Sequence, residues 1–331
     1  MSIAPIVGFS SIGVWIVIFL ALGIGFYLFS VAYASRCIYI QTLKRKDKNS
    51  WSGLMPDAPL EQVLMDKDGM AWAEAHKEYA AEHMIERDGL RLFGEYYDMG
   101  YGRTVIILSG RTESRRYGYF FAPPYEAAGY NVMVLDPRAH GKSDGEYNTV
   151  GYEEGLDALE WAKYAHDKLG ASEVIFHGIC IGAHAGMRAI TAKECPDYVA
   201  GLVTEGMFVS FWESMKNHII EKKRYMPPVM SCVDHWAKKY TGHSMKEGPE
   251  RLIGGMKKPL LMLQSKEDPY STPECAQRLY DMCPSENKRI VYFEHGGHSL
   301  LRHVDREKYD GSILEFVDKN FKKTEQKSKI L

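Results

Sequence analysis

The stretch VIFHGICIGAHAG, Val174 to Gly186, carries most of what this chain says about itself. Val174, Ile175 and Phe176 form an apolar, largely β-branched run suited to a buried strand, and Ala183, Ala185, Gly186, Met187 and Ala189 follow as a small, helix-compatible run. Between them Gly178, Cys180 and Gly182 fill a glycine-framed nucleophile pattern, with cysteine where serine is usual. In that pattern a strand runs into a sharp turn that lifts the central side chain to the top of a sheet, and the glycines leave room for the turn and for helix packing. Small residues around a cysteine also suit an inert buried thiol, so the frame alone leaves both readings open.

Outward from this segment, short apolar runs alternate with helical stretches. Strands are expected at Thr104–Leu108, Asn131–Leu135, Glu173–His177, Val199–Thr204, Pro259–Gln264 and Arg289–Phe293. Helices are expected at Gly69–Ala81, Tyr125–Ala128, Tyr152–Leu169, Ile181–Glu194, Pro273–Met282 and Ser312–Phe321. Such alternation implies an α/β fold, a mostly parallel sheet covered on both faces. Asp88-Gly89 between two strand-like runs adds an antiparallel hairpin at one edge. From about 206 to 258 the alternation stops, and the segment is read as a helical cap over the site, with Phe208, Phe211, Trp212, Met215, Met226, Met230 and Trp236 serving its own packing or a substrate pocket.

The N-terminus is of another kind. Residues 1–35 contain no charged side chain, and Ile6–Tyr33 is mostly apolar, longer than the roughly 20 residues a helix needs to cross a bilayer. With no basic n-region before it, the run reads as an uncleaved transmembrane anchor. Arg36, Lys44, Arg45, Lys46 and Lys48 follow it with only Asp47 opposing, which places the larger C-terminal part in the cytoplasm by the positive-inside rule. The expected organisation is an anchor and basic segment over 1–48, a linker and leading helix over 49–81 (broken by Gly53, Pro56 and Pro59), and a catalytic domain over 82–331. Six widely spaced cysteines, with no paired framework, suit free thiols in a reducing compartment. Cys37 at the membrane edge is read as a bystander rather than a lipidation site. A net charge of -2 gives no basic surplus to draw the 331-residue chain to nucleic acid.

Several landmarks in order make the sequence resemble the α/β-hydrolase family across about 82–321. Ser109-Gly110-Arg111 follows a strand where the family carries its oxyanion loop, and DPRAHGKSDG, Asp136 to Gly145, resembles the family's Asp-x-Arg-Gly-His-Gly-x-Ser turn with Ala139 in place of a glycine. SKEDPYSTP and HGGHSL then place Asp268 and His298 where the acid and base belong, in the order nucleophile, acid, histidine. The resemblance implies a Cys180, His298, Asp268 triad, with backbone N–H groups of Ile181 and Arg111 as oxyanion donors. Cysteine in the elbow resembles dienelactone hydrolase, whereas the anchor, hairpin and cap resemble membrane-tethered relatives of serine aminopeptidase-like type, so the two resemblances differ on substrate.

Competing assignments exist at each position. His295 lies three residues before His298, Glu205 and Glu267 are further candidate acids, and His177 and His184 flank the elbow. Ser244 sits in a Gly-His-Ser-Met run that lacks both the closing glycine and a preceding strand, and is read as a decoy. His295, His298 and His303 have no further ligand at metal spacing, and neither metal nor cofactor is expected. The functions in contention are an ester, thioester or lactone hydrolase working through an acyl-cysteine, acting on a small-molecule or acyl substrate; an acyltransferase or peptidase on the same site; and a binding or scaffold protein that retains only the fold. A redox-sensing thiol lacks an evident resolving cysteine.

Overall fold

The hairpin, the strand order and the elbow together fix where the site lies. The computed structural model describes residues 11–54, 58–223 and 227–321. Pro56 of the expected linker, Met226 of the expected cap, the first ten residues and residues 322–331 lie outside the described residues.

Among the described residues eight strands form one sheet: β1 (Ala80–Arg87), β2 (Leu90–Tyr97), β3 (Arg103–Leu108), β4 (Asn131–Leu135), β5 (Glu173–Ile179), β6 (Val199–Glu205), β7 (Leu260–Ser265) and β8 (Lys288–Phe293). Their order is β1-β2-β4-β3-β5-β6-β7-β8. The pairs β1/β2 and β2/β4 are antiparallel and the other five parallel, so the sheet is mostly parallel with an antiparallel edge. Asp88 and Gly89 both take positive φ, 54° and 73°, and register Arg87 against Leu90, as a two-residue hairpin turn requires. β3 and β5 are buried along nearly their whole length because helices cover both faces. On one face the helices Tyr152–Leu169 and Ile181–Ile190 bury Trp161, Ala162, Met187 and Ala189; on the other, the helices around Phe120 and Tyr309 bury Phe121, Ile313 and Phe316.

Some boundaries differ from the sequence expectation. The leading helix spans Leu60–Ala75 rather than Gly69–Ala81, and Ala80 and Ala81 already belong to β1. Ala80 and Ala81 pair across to Tyr97 and Tyr96, so sheet pairing overrides alanine's helix preference. The helix after the elbow stops at Ile190, four residues short of Glu194, and the last helix begins at Arg306, where Asp305 accepts the Lys308 N–H, rather than at Ser312.

The N-terminal helix spans Ser11–Leu43, about 50 Å long. Among the described residues it alone is long and apolar enough to cross a membrane, and its most apolar window is wholly exposed. It does not end with the apolar run. Ten residues beyond Tyr33 remain helical, and Val31, Tyr39 and Leu43 are buried against Val229, Val233 and Ala237 of the helix Pro227–Thr241. The Trp236 indole donates to Ser35 Oγ at 3.2 Å, and Tyr39 stacks on Tyr240 with ring centres 5.5 Å apart. Past the helix, the Asn148 N–H donates to the Leu43 carbonyl and the Arg45 N–H to the Glu146 carbonyl, fastening the chain to the body.

Candidate active site

Cys180 sits between the end of β5 and the start of helix Ile181–Ile190, with φ 53° and ψ -111°. A non-glycine residue in that region carries strain that only surrounding structure can hold. The surroundings do so: the Cys180 N–H donates to the Glu205 carbonyl at 3.0 Å, and its own carbonyl accepts the Ala183 N–H at 3.1 Å. Both framing glycines are required by close approach. A Cβ on Gly178 would lie 2.3 Å from the Gly182 carbonyl oxygen, and one on Gly182 would lie 1.9 Å from that of Leu108. The turn therefore packs backbone on backbone, and the thiol is what projects. The Ile181 N–H is the first of the helix, one of the group that no helical carbonyl takes.

His298 and Asp268 arrive on the loops after β8 and β7. His298 Nδ1 lies 2.7 Å from Asp268 Oδ2, and the ring shares the wall of one cavity with Cys180. Asp268 Oδ1 accepts the N–H groups of Tyr270 and Ser271 at 2.8 and 2.9 Å, so the carboxylate is buried and held from both sides. Burial works against a charge on His298, yet the Cys180 and Asp268 charges and hydrogen bonds outweigh it and lift the imidazole well above its usual value. Gly206, at φ 61°, lies under this pair; a Cβ there would come within 3.1 Å of His298 Cε1.

The other candidates are committed elsewhere. Glu205 is fully buried, accepting the Leu301 N–H at 3.0 Å and the Tyr309 hydroxyl at 2.7 Å. Glu267 faces His295 at 3.1 Å on the exposed rim. His177 meets the Tyr309 hydroxyl at 3.0 Å and His184 the Val150 carbonyl at 2.5 Å; burial lowers them to about 3 and about 4. Both are neutral packing groups. Ser244 donates to Asp234 at 2.8 Å within the cap, away from any strand end.

The loop after β3 is shaped by residues that sequence reading left unassigned. The Gly110 N–H donates to Glu113 Oε2 at 2.9 Å and the Thr112 N–H to His140 Nε2 at 3.2 Å. Between them, the Arg111 N–H has no protein acceptor among the described residues. His140 belongs to the DPRAHGKSDG turn, and burial lowers it to about 4, which keeps Nε2 an acceptor. In the same turn Asp136 takes the N–H groups of Arg115 and Lys142, and a Cβ on Gly141 would collide with its carboxylate at 2.2 Å. That turn thus fixes the loop facing Cys180. Glu113 is pushed up to about 7, chiefly by burial, with the Gly110 N–H, His298 and Arg111 opposing.

A cavity of about 640 Å³ opens over the thiol, lined by Cys180, His298, Arg111, Glu113, Tyr117 and Tyr270. The cap helix Phe211–Glu221 contributes Phe211, Met215 and Ile219, and the helix Pro227–Thr241 contributes Val229 and Met230. Of the other cap residues, Phe208 packs on Phe211, Lys246 sits over the Trp212 ring, and Trp236 packs on the N-terminal helix. A further wall is the N-terminal helix, through Ala34, Ile38, Gln41 and Thr42. The Arg111 guanidinium, close to Cys180, donates to the Thr42 carbonyl at 3.4 Å. In sequence the only trace of that wall is the spacing of Val31, Ala34, Ser35, Ile38 and Thr42, which continues one helical face past Arg36.

A family model described as the α/β hydrolase fold matches residues 103–227. YqkD of Bacillus subtilis, itself uncharacterized, is 27% identical over 222 residues, covering 65% of this chain and 71% of its own length. An uncharacterized membrane protein of Saccharomyces cerevisiae is 24% identical over 202 residues, 59% of this chain and 64% of that protein. Among solved structures, an esterase of Pyrococcus furiosus is similar with a TM-score of 0.63 at 22% identity, covering 76% of this chain and 94% of its own. An esterase of Exiguobacterium antarcticum gives 0.54 at 18%, covering 71% and 98%.

Proposed function

We propose that this chain, which has the α/β-hydrolase fold, is a membrane-anchored hydrolase that cleaves an ester, thioester or lactone through an acyl-cysteine. The observation that carries the reading is His298 standing between the Asp268 carboxylate, at 2.7 Å, and the thiol of the strained elbow, on the floor of a cavity. A thiol is mostly protonated at neutral pH and needs a partner to become nucleophilic. His298, protonated and oriented by Asp268, stabilises a thiolate on Cys180, and the helix N-terminus behind the sulfur adds to this.

The chemistry follows from these groups. Cys180 Sγ attacks the substrate carbonyl carbon; the C–S bond forms, and the carbonyl π electrons move onto oxygen. The N–H groups of Ile181 and Arg111 receive that oxyanion, each worth about 10²–10³ in rate by analogy with other such donors. Collapse breaks the bond to the leaving group, which takes the His298 proton. Water then loses a proton to His298, adds to the thioester, and releases the acid and the thiolate. An amine or thiol entering at this last step makes the same site an acyltransferase.

The exposed apolar helix supports anchoring, and the basic residues after it support a cytoplasmic catalytic domain. The test uses full-length protein in detergent with p-nitrophenyl esters, alongside Cys180→Ala and Cys180→Ser. The expected result is turnover by wild type and its loss in Cys180→Ala; equal turnover by both overturns the reading. An inactive scaffold predicts iodoacetamide labelling of Cys180 no faster than of Cys195, Cys275 or Cys283, whose thiols burial pushes up.

A further inference from the structure

We infer that the substrate is a membrane lipid whose acyl chain enters sideways from the bilayer, with the N-terminal helix as one wall of its path. The inference rests on the hydrolase reading for its chemistry and on separate observations for its substrate. The first is continuity. Residues Ile12 to Leu28 of the helix are exposed over their apolar length, burial begins at Val31, and Ala34 and Ile38, the next turns, line the cavity that holds Cys180 and His298. One cavity thus touches both the end of the lipid-exposed helix and the nucleophile. From Ala34 to Thr42 the helix rises about 12 Å, enough to guide an extended chain rather than a short acyl group.

The second observation is the rim. Leu54 lines the cavity and is 39% exposed; Leu60, Val63 and Leu64 share one face of the next helix at 68%, 40% and 40% exposure, and that helix lends Gln62 and Asp66 to the cavity wall. Exposed apolar clusters of this kind mark contacts with membranes or partners. Lys46 and Lys48, exposed just past the N-terminal helix, suit anionic headgroups. The third is rigidity: the Trp236–Ser35 hydrogen bond and the Tyr39–Tyr240 stack hold the helix against the cap, so the anchor presents the cavity to the bilayer in one orientation. A freely soluble ester needs none of these. In the reaction the ester C–O bond of the lipid breaks, its acyl carbon bonds to Cys180 Sγ, and the lyso-alcohol leaves with the His298 proton.

The test is full-length protein reconstituted in phosphatidylcholine vesicles, with p-nitrophenyl palmitate and butyrate, wild type beside Ala34→Trp and Ile38→Trp. Blocking the path is expected to lower the palmitate-to-butyrate turnover ratio by about tenfold or more. A ratio that stays put, or equal loss on both esters, overturns the inference. A readout free of turnover comes from Cys180→Ala protein and a phosphatidylcholine carrying a diazirine on one acyl chain. Crosslinks on Met215 or Met230 support the path, and crosslinks confined to residues 12–33 overturn it. Cavity crosslinks without turnover of either ester by wild type overturn the hydrolase reading while leaving the lipid path in place.

Discussion

In the proposed mechanism Cys180, His298 and Asp268 act as a set, with the His298 imidazole lifted by the two groups beside it. Asp268→Asn keeps the shape but no longer favours imidazolium, so turnover of a short ester is expected to fall by about 10³–10⁴ with little change in melting temperature. Glu113 has the opposite logic. Burial raises it from 4.5 to about 7, so the folded state holds a proton that the unfolded state has released. The associated stability is present below the unfolded value and lost as pH rises through about 7. Glu113→Gln keeps an acceptor for the Gly110 N–H without that titration. Denaturant unfolding at about pH 5 and pH 8 is expected to show wild type losing about 2 kcal/mol relative to the variant. A parallel decline in both proteins contradicts desolvation as the cause of the Glu113 shift. Its role is invisible to motif reading because nothing in a loop's sequence says whether a carboxylate points to water or back to its own loop's N–H groups.

The elements show why the elbow was legible. A strand, two glycines and a small-residue helix are local instructions, and the backbone contacts at Gly178 and Gly182 are their direct physical consequence. Gly182→Ala drives a methyl into the Leu108 carbonyl, so loss of soluble folded protein, or destabilisation by about 3 kcal/mol or more, is expected by circular dichroism. The Asp88-Gly89 hairpin and the strands β4 and β7 were equally readable, since turn chemistry and continuous apolar runs are short-range signals. The leading helix was misplaced for the complementary reason. Leu60, Val63 and Leu64 face outward and so blur its apolar stripe, while Ala80 and Ala81 are helix formers held in a strand by Tyr97 and Tyr96.

For the whole molecule, the N-terminal helix is both a candidate membrane span and part of the cavity. Deletion of residues 1–48 removes buried Tyr39 and Leu43, each worth about 2 kcal/mol of apolar burial, and opens the site at Ala34 to Thr42. Deletion of residues 1–28 spares every one of those contacts. The longer deletion is expected to lower the melting temperature and cut short-ester turnover at least about tenfold relative to the shorter one; equal behaviour means that the helix end is only a tether. By itself the sequence determined the sheet's composition, the edge hairpin, the elbow and the apolar N-terminal helix, because periodicity, turn residues and apolar length act over a few neighbouring residues. Tertiary structure alone decided that Glu205 is spent on Tyr309 and Leu301, that Glu113 lines the cavity that holds Cys180, and that the last turns of the N-terminal helix wall that cavity. These are meetings between residues far apart in the chain, set by how the sheet's loops and the cap converge at one end, and no local pattern encodes such distances.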